Sequence, residues 1–275
     1  MNTASIDDIR HSMKHNLLRN VLIRLDYTGI TNIDNWVEKF QPVMKDWFSI
    51  YSRGVQNNMK ANLTSIEDIA ENLSIPIDEI RKETIHEFTG WLKDDNNVTM
   101  SISPYFMTIN IRCNNYTLID TFLDLTSLFL KNMYKNNPYF NIHRIGIRKV
   151  NGKAFDTMEE VLAIYRKDLF FGAEVDEEES LPIGREYTYR YVLKDLSLKI
   201  NYSRQYRLYN SIQGLQKHQV LLDIDTYIDK SCIDKNKYNL MEDSNIILKT
   251  MNEHQFMIFM ESVQESYLYN AKQNE

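Results

Sequence analysis

The sequence predicts an α+β fold, a mostly antiparallel sheet with helices packed on one side. Three observations lead there. Alternation of apolar and polar residues, as in VLIRLDY (21–27) and QVLLDIDTYI (219–228), marks strands with one buried face. Strand patterns come in runs broken by helices, rather than in strict alternation with them. Only 8 glycines and 5 prolines occur in 275 residues, which favours long regular elements over a loop-rich sandwich.

The first strand is read over 16–27, where Val21, Ile23 and Leu25 alternate with Leu22, Arg24 and Asp26. Asn32 or Asp34 then caps a helix through Trp47, with Trp36, Val37, Phe40, Val43 and Met44 on one face and Pro42 predicting a kink. Residues 53–62 are polar and read as a loop, and 64–83 give two short helical patterns separated at Ser74, Ile75 and Pro76. Strands are expected at 86–93, 98–102 and 105–112, with a turn cluster at Asp94, Asp95, Asn96 and Asn97. A helix over 117–134 carries the stripe Leu118, Phe122, Leu125, Leu128, Phe129 and Met133. A strand over 140–151 and an amphipathic helix over 157–169 follow. Then come strands at 187–193, 196–202 and 219–228, and a final helix capped by Asp243 or Ser244 that runs to about residue 269.

This order divides the chain at about residue 170. Residues 1–170 read like a split β-α-β motif with an added strand and a helical hairpin inserted at 60–84. Residues 171–275 read as antiparallel strands plus a long helix, on the same or a continuous sheet. The second half repeats the ending of the first only loosely, so an internal duplication stays open.

The formal net charge of −6 disfavours bulk affinity for nucleic acid. The charge is uneven. Glu174, Asp176, Glu177, Glu178 and Glu179 form a self-repelling run that reads as a surface loop. From Arg185 to Lys217 the sign reverses and tyrosines are dense. No apolar run approaches the ~20 residues needed to cross a bilayer, and no leader peptide is visible. Cys113 and Cys232 fit no metal spacing, so a cytoplasmic setting without cofactor or metal is the expectation.

Three landmarks resemble an uncharacterised, sporadically distributed prokaryotic family of about this length. They are the Trp-bearing strand around Phe88 and Trp91, the strand end RIGIRKVN (144–151), and LDID (222–225) ahead of the long last helix. Lys149, where that family favours tyrosine, and the 60–83 segment depart from the pattern. The resemblance implies a bacterial or phage cytosolic protein and carries no catalytic motif. A link to defence or mobile elements is suggested by the sporadic distribution alone.

Several residue groups are candidates for function. Arg144 and Arg148 share a strand face with bare Gly146 between them, a geometry suited to a phosphate or carboxylate. The structural alternative is an ion pair with Glu87 or Asp225, with Gly146 admitting an aromatic such as Trp91. Asp223 and Asp225 share a face by the same period-two rule and could meet a cation, or simply be solvated. Tyr187, Tyr189 and Tyr191 share a face, with Arg190 opposite; with Arg204 and Arg207 they could stack single-stranded bases, or fill the seam between sheet and helix. The 64–84 segment looks like a helix-turn-helix, but its second helix presents Asp78, Glu79, Arg81, Lys82 and Glu83, a poor set for reading a groove. His11 and His15 have ligand spacing without support from other ligands, and no phosphate-loop, dinucleotide or nucleophile-elbow motif is present.

The expected role is therefore a non-enzymatic cytosolic binding or adaptor protein, engaging a protein partner or a second copy, with no membrane partner. Phe256, Phe259 and Tyr267 are the expected self-association surface. Nucleic-acid binding through 64–84 or the 185–209 strands is one alternative, and a phosphate-handling enzyme using Arg144, Arg148, Asp223 and Asp225 is the other.

Overall fold

The computed structural model describes residues 17–30, 32–57, 82–91, 97–113, 119–172, 183–194, 196–211 and 214–268. Its strands are β1 (Leu18–Thr28), β2 (Ile50–Asn57), β3 (Lys82–Trp91), β4 (Asn97–Ile102), β5 (Phe106–Arg112), β6 (Asn141–Phe155), β7 (Gly184–Leu193), β8 (Leu198–Asn210) and β9 (Gln216–Asp229). Its helices are α1 (Ile33–Met44), α2 (Asp120–Asn136), α3 (Met158–Ile164), α4 (Lys167–Phe170), α5 (Lys230–Asn236) and α6 (Leu240–Ser262).

The α+β expectation holds. The strands form one sheet in the order β2-β3-β4-β5-β1-β6-β9-β8-β7, and every neighbouring pair is antiparallel. β5 and β6 flank β1 and are joined through α2, which makes a split β-α-β unit at the centre. The β6–β9 pairing carries the sheet from the first half of the chain into the second.

Period-two alternation sorts the two faces. Val21, Ile23, Leu25, Val98, Met100, Ile102, Met107, Ile109, Ile111, Val220, Leu222 and Ile224 are all buried on one face. Each such side chain contributes about 1.5–3 kcal/mol relative to exposure, an upper range given a partly collapsed unfolded chain. α2 and α6 pack on each other, and α6 lies against β6 and β9. Buried Gln255 clamps α6 down: its Nε2 donates to Ile147 O at 2.6 Å and to Ile224 O at 3.2 Å, one carbonyl from each strand. Because a buried amide without partners is costly, this clamp fixes where the helix sits.

Some elements differ from the sequence reading. Residues 53–57, expected in a loop, belong to β2, and Lys82, Glu83 and Thr84 belong to β3 rather than to a helical hairpin. β2 is an edge strand held by its neighbour, so it needs no apolar alternation of its own. The rest of the 60–84 segment, the acidic run, and His11 and His15 lie outside the described residues. The helix read over 157–169 breaks into α3 and α4. Buried Tyr165 turns extended there and pairs with Val263, while its ring meets Phe155 and Phe170 edge-on. The last helix begins earlier, at Leu240; Asp243 accepts the N–H of the cap residue Asn239 at 2.8 Å. Leu128 is exposed rather than part of the α2 stripe, whereas Phe256 and Phe259 are buried. Those two phenylalanines fill the core and are not available as a self-association surface. Among the described residues no helix is long and apolar enough to cross a membrane.

Candidate functional site

The face of the sheet opposite the helices is polar across its width. On β1 it presents Leu22, Arg24 and Asp26; on β6, Arg144, Gly146 and Arg148; on β9, Asp223, Asp225, Tyr227 and Asp229; on β8, Lys199, Asn201 and Ser203. Apart from Gly146, none of these residues is buried, in contrast with the opposite face. An antiparallel sheet tolerates such a wet face because its backbone groups are already paired within the ladder.

The sequence candidates Arg144, Arg148, Asp223 and Asp225 meet on this face. Register sets Arg144 opposite Asp229 and Arg148 opposite Asp225, yet both arginines pair diagonally. Arg144 Nη2 donates to Asp225 Oδ2 at 2.7 Å. Arg148 grips Asp223 with a two-pronged contact, Nε to Oδ1 at 2.8 Å and Nη2 to Oδ2 at 2.5 Å. The diagonal has a cause in the neighbouring row. Asp229 is already held by Lys199 and Ser231, and it caps α5 by accepting the Cys232 N–H at 3.2 Å. Arg144 therefore leans the other way, over the Tyr227 ring.

Gly146 makes that lean feasible. A Cβ there would lie 2.9 Å from Tyr227 Cβ and 3.1 Å from Thr226 O. The aromatic that Gly146 admits is thus Tyr227. Trp91 is on β3, beyond three intervening strands, and Glu87 lies beside Ser101. Arg24, Asp26, Arg144, Gly146, Arg148 and Asp225 line a depression of about 250 Å³. Arg144 Nε at its wall is buried without a hydrogen-bond partner among the described residues.

Burial lifts the Asp225 carboxyl above the usual range, and the charges of Arg144 and Arg148 only partly offset it. The hydrogen bond to Asp223 raises Arg148 further. For Asp229, burial alone would raise the pKa, but the bonds from Lys199, Ser231 and Cys232 together hold it well below the carboxylate range. Pairs exposed to this degree contribute only about 0–1 kcal/mol each to stability. Their chemical effect is to hold guanidinium and carboxylate groups in fixed directions.

The tyrosine and arginine candidates divide between faces. Arg190 and Arg207 lie on the polar face, opposite Asn201 and Gln219. Tyr187, Tyr189, Tyr191 and Arg204 lie on the helix side. Arg204 is only 4% exposed, with its Cζ 4.9 Å from the Tyr202 ring centroid and 5.5 Å from that of Tyr189. Its Nε donates to Ser262 Oγ at 3.1 Å. Arg204 is therefore part of the seam between β8 and α6, not a contact for a nucleic-acid backbone. Tyr189 stacks on Tyr202 at 4.8 Å.

One polar cluster has no local signature in the sequence. Tyr51 and His86 Nδ1 share a hydrogen bond of 2.9 Å, His86 Nε2 lies 2.8 Å from Asp34 Oδ1, and Asp34 Oδ2 accepts from Arg53 at 2.7 Å. The His86 to Asp34 contact is short but off the line of a good hydrogen bond. The single legible hint is His86 sitting on an inward strand position. Cys113 and Cys232 are buried and form no disulfide with each other, and burial pushes the Cys113 thiol up to about 11, away from the thiolate form. Among the described residues no cluster of three His, Cys, Asp or Glu side chains could hold a metal ion. In comparisons with known proteins the chain matches no family model and no curated protein.

Proposed function

We propose that this protein works as a cytosolic binding or adaptor protein, and that the helix-free face of the sheet is the surface it offers to a protein partner. The observation that carries this reading is the depression around Gly146. There Arg24, Arg144 and Arg148 stand with their directions fixed by carboxylates, and Arg144 Nε lacks an acceptor among the described residues. A carboxylate-bearing side chain of a partner fits that depression, and the flanking Asp223 and Asp225 reject a second acidic group. Fixed charges of alternating sign give register and selectivity more than raw affinity. A connection with bacterial defence or mobile elements rests on the family resemblance alone.

A photo-crosslinking residue at Thr108, on the polar face, tests this against one at exposed Met257 on α6. The expected result is a discrete adduct from position 108 that disappears with Arg24→Glu or Arg148→Glu. Adducts that are identical from both positions, or that survive both substitutions, would overturn it.

The same depression supports a second reading, a small phosphate-bearing ligand held by the three guanidinium groups. Calorimetric titration with pyrophosphate separates the two. Saturable binding abolished by Arg144→Ala favours the small ligand, and no heat leaves the protein partner as the occupant.

A further inference from the structure

β7 is the last strand of the sheet, and among the described residues its outer edge is unpaired. Leu208 N–H donates to Ile183 O at 2.9 Å, which fixes the phase of the β7–β8 ladder. Odd-numbered residues of β7 therefore aim their backbone groups at β8. Gly184, Glu186, Thr188, Arg190 and Val192 aim theirs outward. All five are exposed, and Glu186, Thr188, Arg190 and Val192 carry their side chains on the polar face of the sheet. An exposed edge of this length is a template for another strand.

The charges along the edge choose the strand. Consider a second copy of β7 laid antiparallel about a two-fold axis normal to the sheet. Such an axis must pass through a residue, because any axis between residues would set a polar-face side chain opposite a helix-side one. Centred on an inward-aimed residue such as Tyr187 or Tyr189, it sets neither Glu186 nor Arg190 opposite another charge. Centred on Glu186, the arrangement sets glutamate on glutamate. Centred on Arg190, it sets arginine on arginine. Centred on Thr188, it sets Glu186 of each copy opposite Arg190 of the other, twice over. On the helix side it brings Tyr187 against Tyr189 and Arg185 against Tyr191, pairings that favour stacking and cation–π contact. Arg190 has no ion-pair partner among the described residues, and Glu186 accepts one bond from Gln205 at 3.1 Å.

We propose that β7 pairs antiparallel with β7 of a second copy about a two-fold axis through Thr188, joining two nine-stranded sheets into one continuous sheet. The contact is isologous and closes at two copies. Both polar faces then lie on the same side, so each dimer presents two copies of the depression around Gly146.

Light scattering on eluting protein and sedimentation over a concentration series read the assembly state. The expected species is a reversible dimer of twice 32.7 kDa. Arg190→Glu and Glu186→Arg each set like charges opposite one another and weaken the dimer by about tenfold or more. The double exchange E186R/R190E restores opposite charges and returns the dimer to near its original strength. Thr188→Pro removes an outward N–H that β8 does not use, so it also breaks the dimer; circular dichroism checks that the variant folds. A monomer at the highest soluble concentration, a dimer indifferent to both single exchanges, or a double exchange that stays as weak as the singles overturns the proposal. Open-ended oligomers, as an edge-to-edge β2–β7 contact would give, overturn it as well.

Discussion

Arg144 lies over the ring of Tyr227, its Cζ 4.2 Å from the ring centroid, while its Nη2 holds Asp225 at 2.7 Å. The cross-strand neighbour of Tyr227 is Gly146, and the missing side chain is what lets ring and guanidinium share one place. Gly146→Val is expected to lower the unfolding free energy by about 1–3 kcal/mol through overpacking. Gly54→Ala is the control, since a Cβ there meets nothing within 4 Å. It should be neutral or stabilise by about 0.4–1 kcal/mol through the unfolded chain. Urea denaturation of both variants measures the contrast, and equal effects would refute the crowding account.

Arg204 is a buried cation satisfied by two aromatic faces and a serine hydroxyl. Arg204→Ala leaves a cavity under Tyr189 and Tyr202 and frees Ser262 Oγ of its donor. A loss of about 2–4 kcal/mol is expected, since cation–π contact and charged hydrogen bonding each contribute on the order of 1–2 kcal/mol. Arg207→Ala, on the exposed face, should stay within about 0.5 kcal/mol of the parent. Heparin retention at low salt, if the protein shows any, should follow Arg190 and Arg207 and ignore conservative change at Arg204.

Period two was enough to place Arg144 with Arg148, and Asp223 with Asp225, on single faces of their strands. That the two strands are neighbours is set by the long β6–β9 ladder, and that the pairs cross diagonally depended on Lys199 and on the α5 cap drawing Asp229 away. Such a choice is made by register between strands far apart in sequence, and no local pattern carries it. Arg204 shows the reverse. Its even number sets it in phase with Tyr202 and Tyr206 and out of phase with Arg207, so the rule itself separates the two arginines. Reading the tract by composition hid that signal. β2 was illegible because an edge strand with sequence IYSRGVQN is ordered by β3 and not by its own alternation. The Tyr51, His86 and Asp34 cluster joins two strands to the first turn of a helix, a meeting that only the tertiary fold creates.

His86 carries a prediction of pH dependence. Burial lowers its pKa below the usual 6.5, outweighing the opposing pull of Asp34. The unfolded chain therefore takes up a proton at this residue before the folded protein does. By linkage, the stability from a neutral His86 is complete above the unfolded value and is lost as pH falls from 6.5 toward the lower folded value. Denaturation midpoints at slightly alkaline and mildly acid pH should show a drop in the parent protein. His86→Gln should flatten that segment of the profile while lowering stability at alkaline pH, because the Tyr51 and Asp34 contacts are lost. A slope that persists unchanged in the variant would assign the proton uptake elsewhere.

Asp229 titrates in the opposite sense. Burial raises its pKa, but the bonds from Lys199, Ser231 and Cys232 win, and its folded pKa lies well below the usual 3.8. Stability from this group is present above the unfolded value and is lost as pH falls through the strongly acid range toward the folded value. The carboxylate also caps α5, a role that by itself contributes about 0.5–2 kcal/mol. Asp229→Ala should accordingly cost about 1–2 kcal/mol at neutral pH, with the gap to the parent narrowing as acid protonates the parent's carboxylate. The variant also frees Lys199 and removes the rival for Arg144, whose register partner is position 229. Asp225→Asn makes the comparison decisive. Its carboxyl is raised by burial, so its charged form disfavours the fold as pH rises through the folded value, and the amide should cost less at neutral pH than Asp229→Ala does. Equal losses for the two variants, with the same pH dependence, would mean that the diagonal network does not distinguish its two carboxylates.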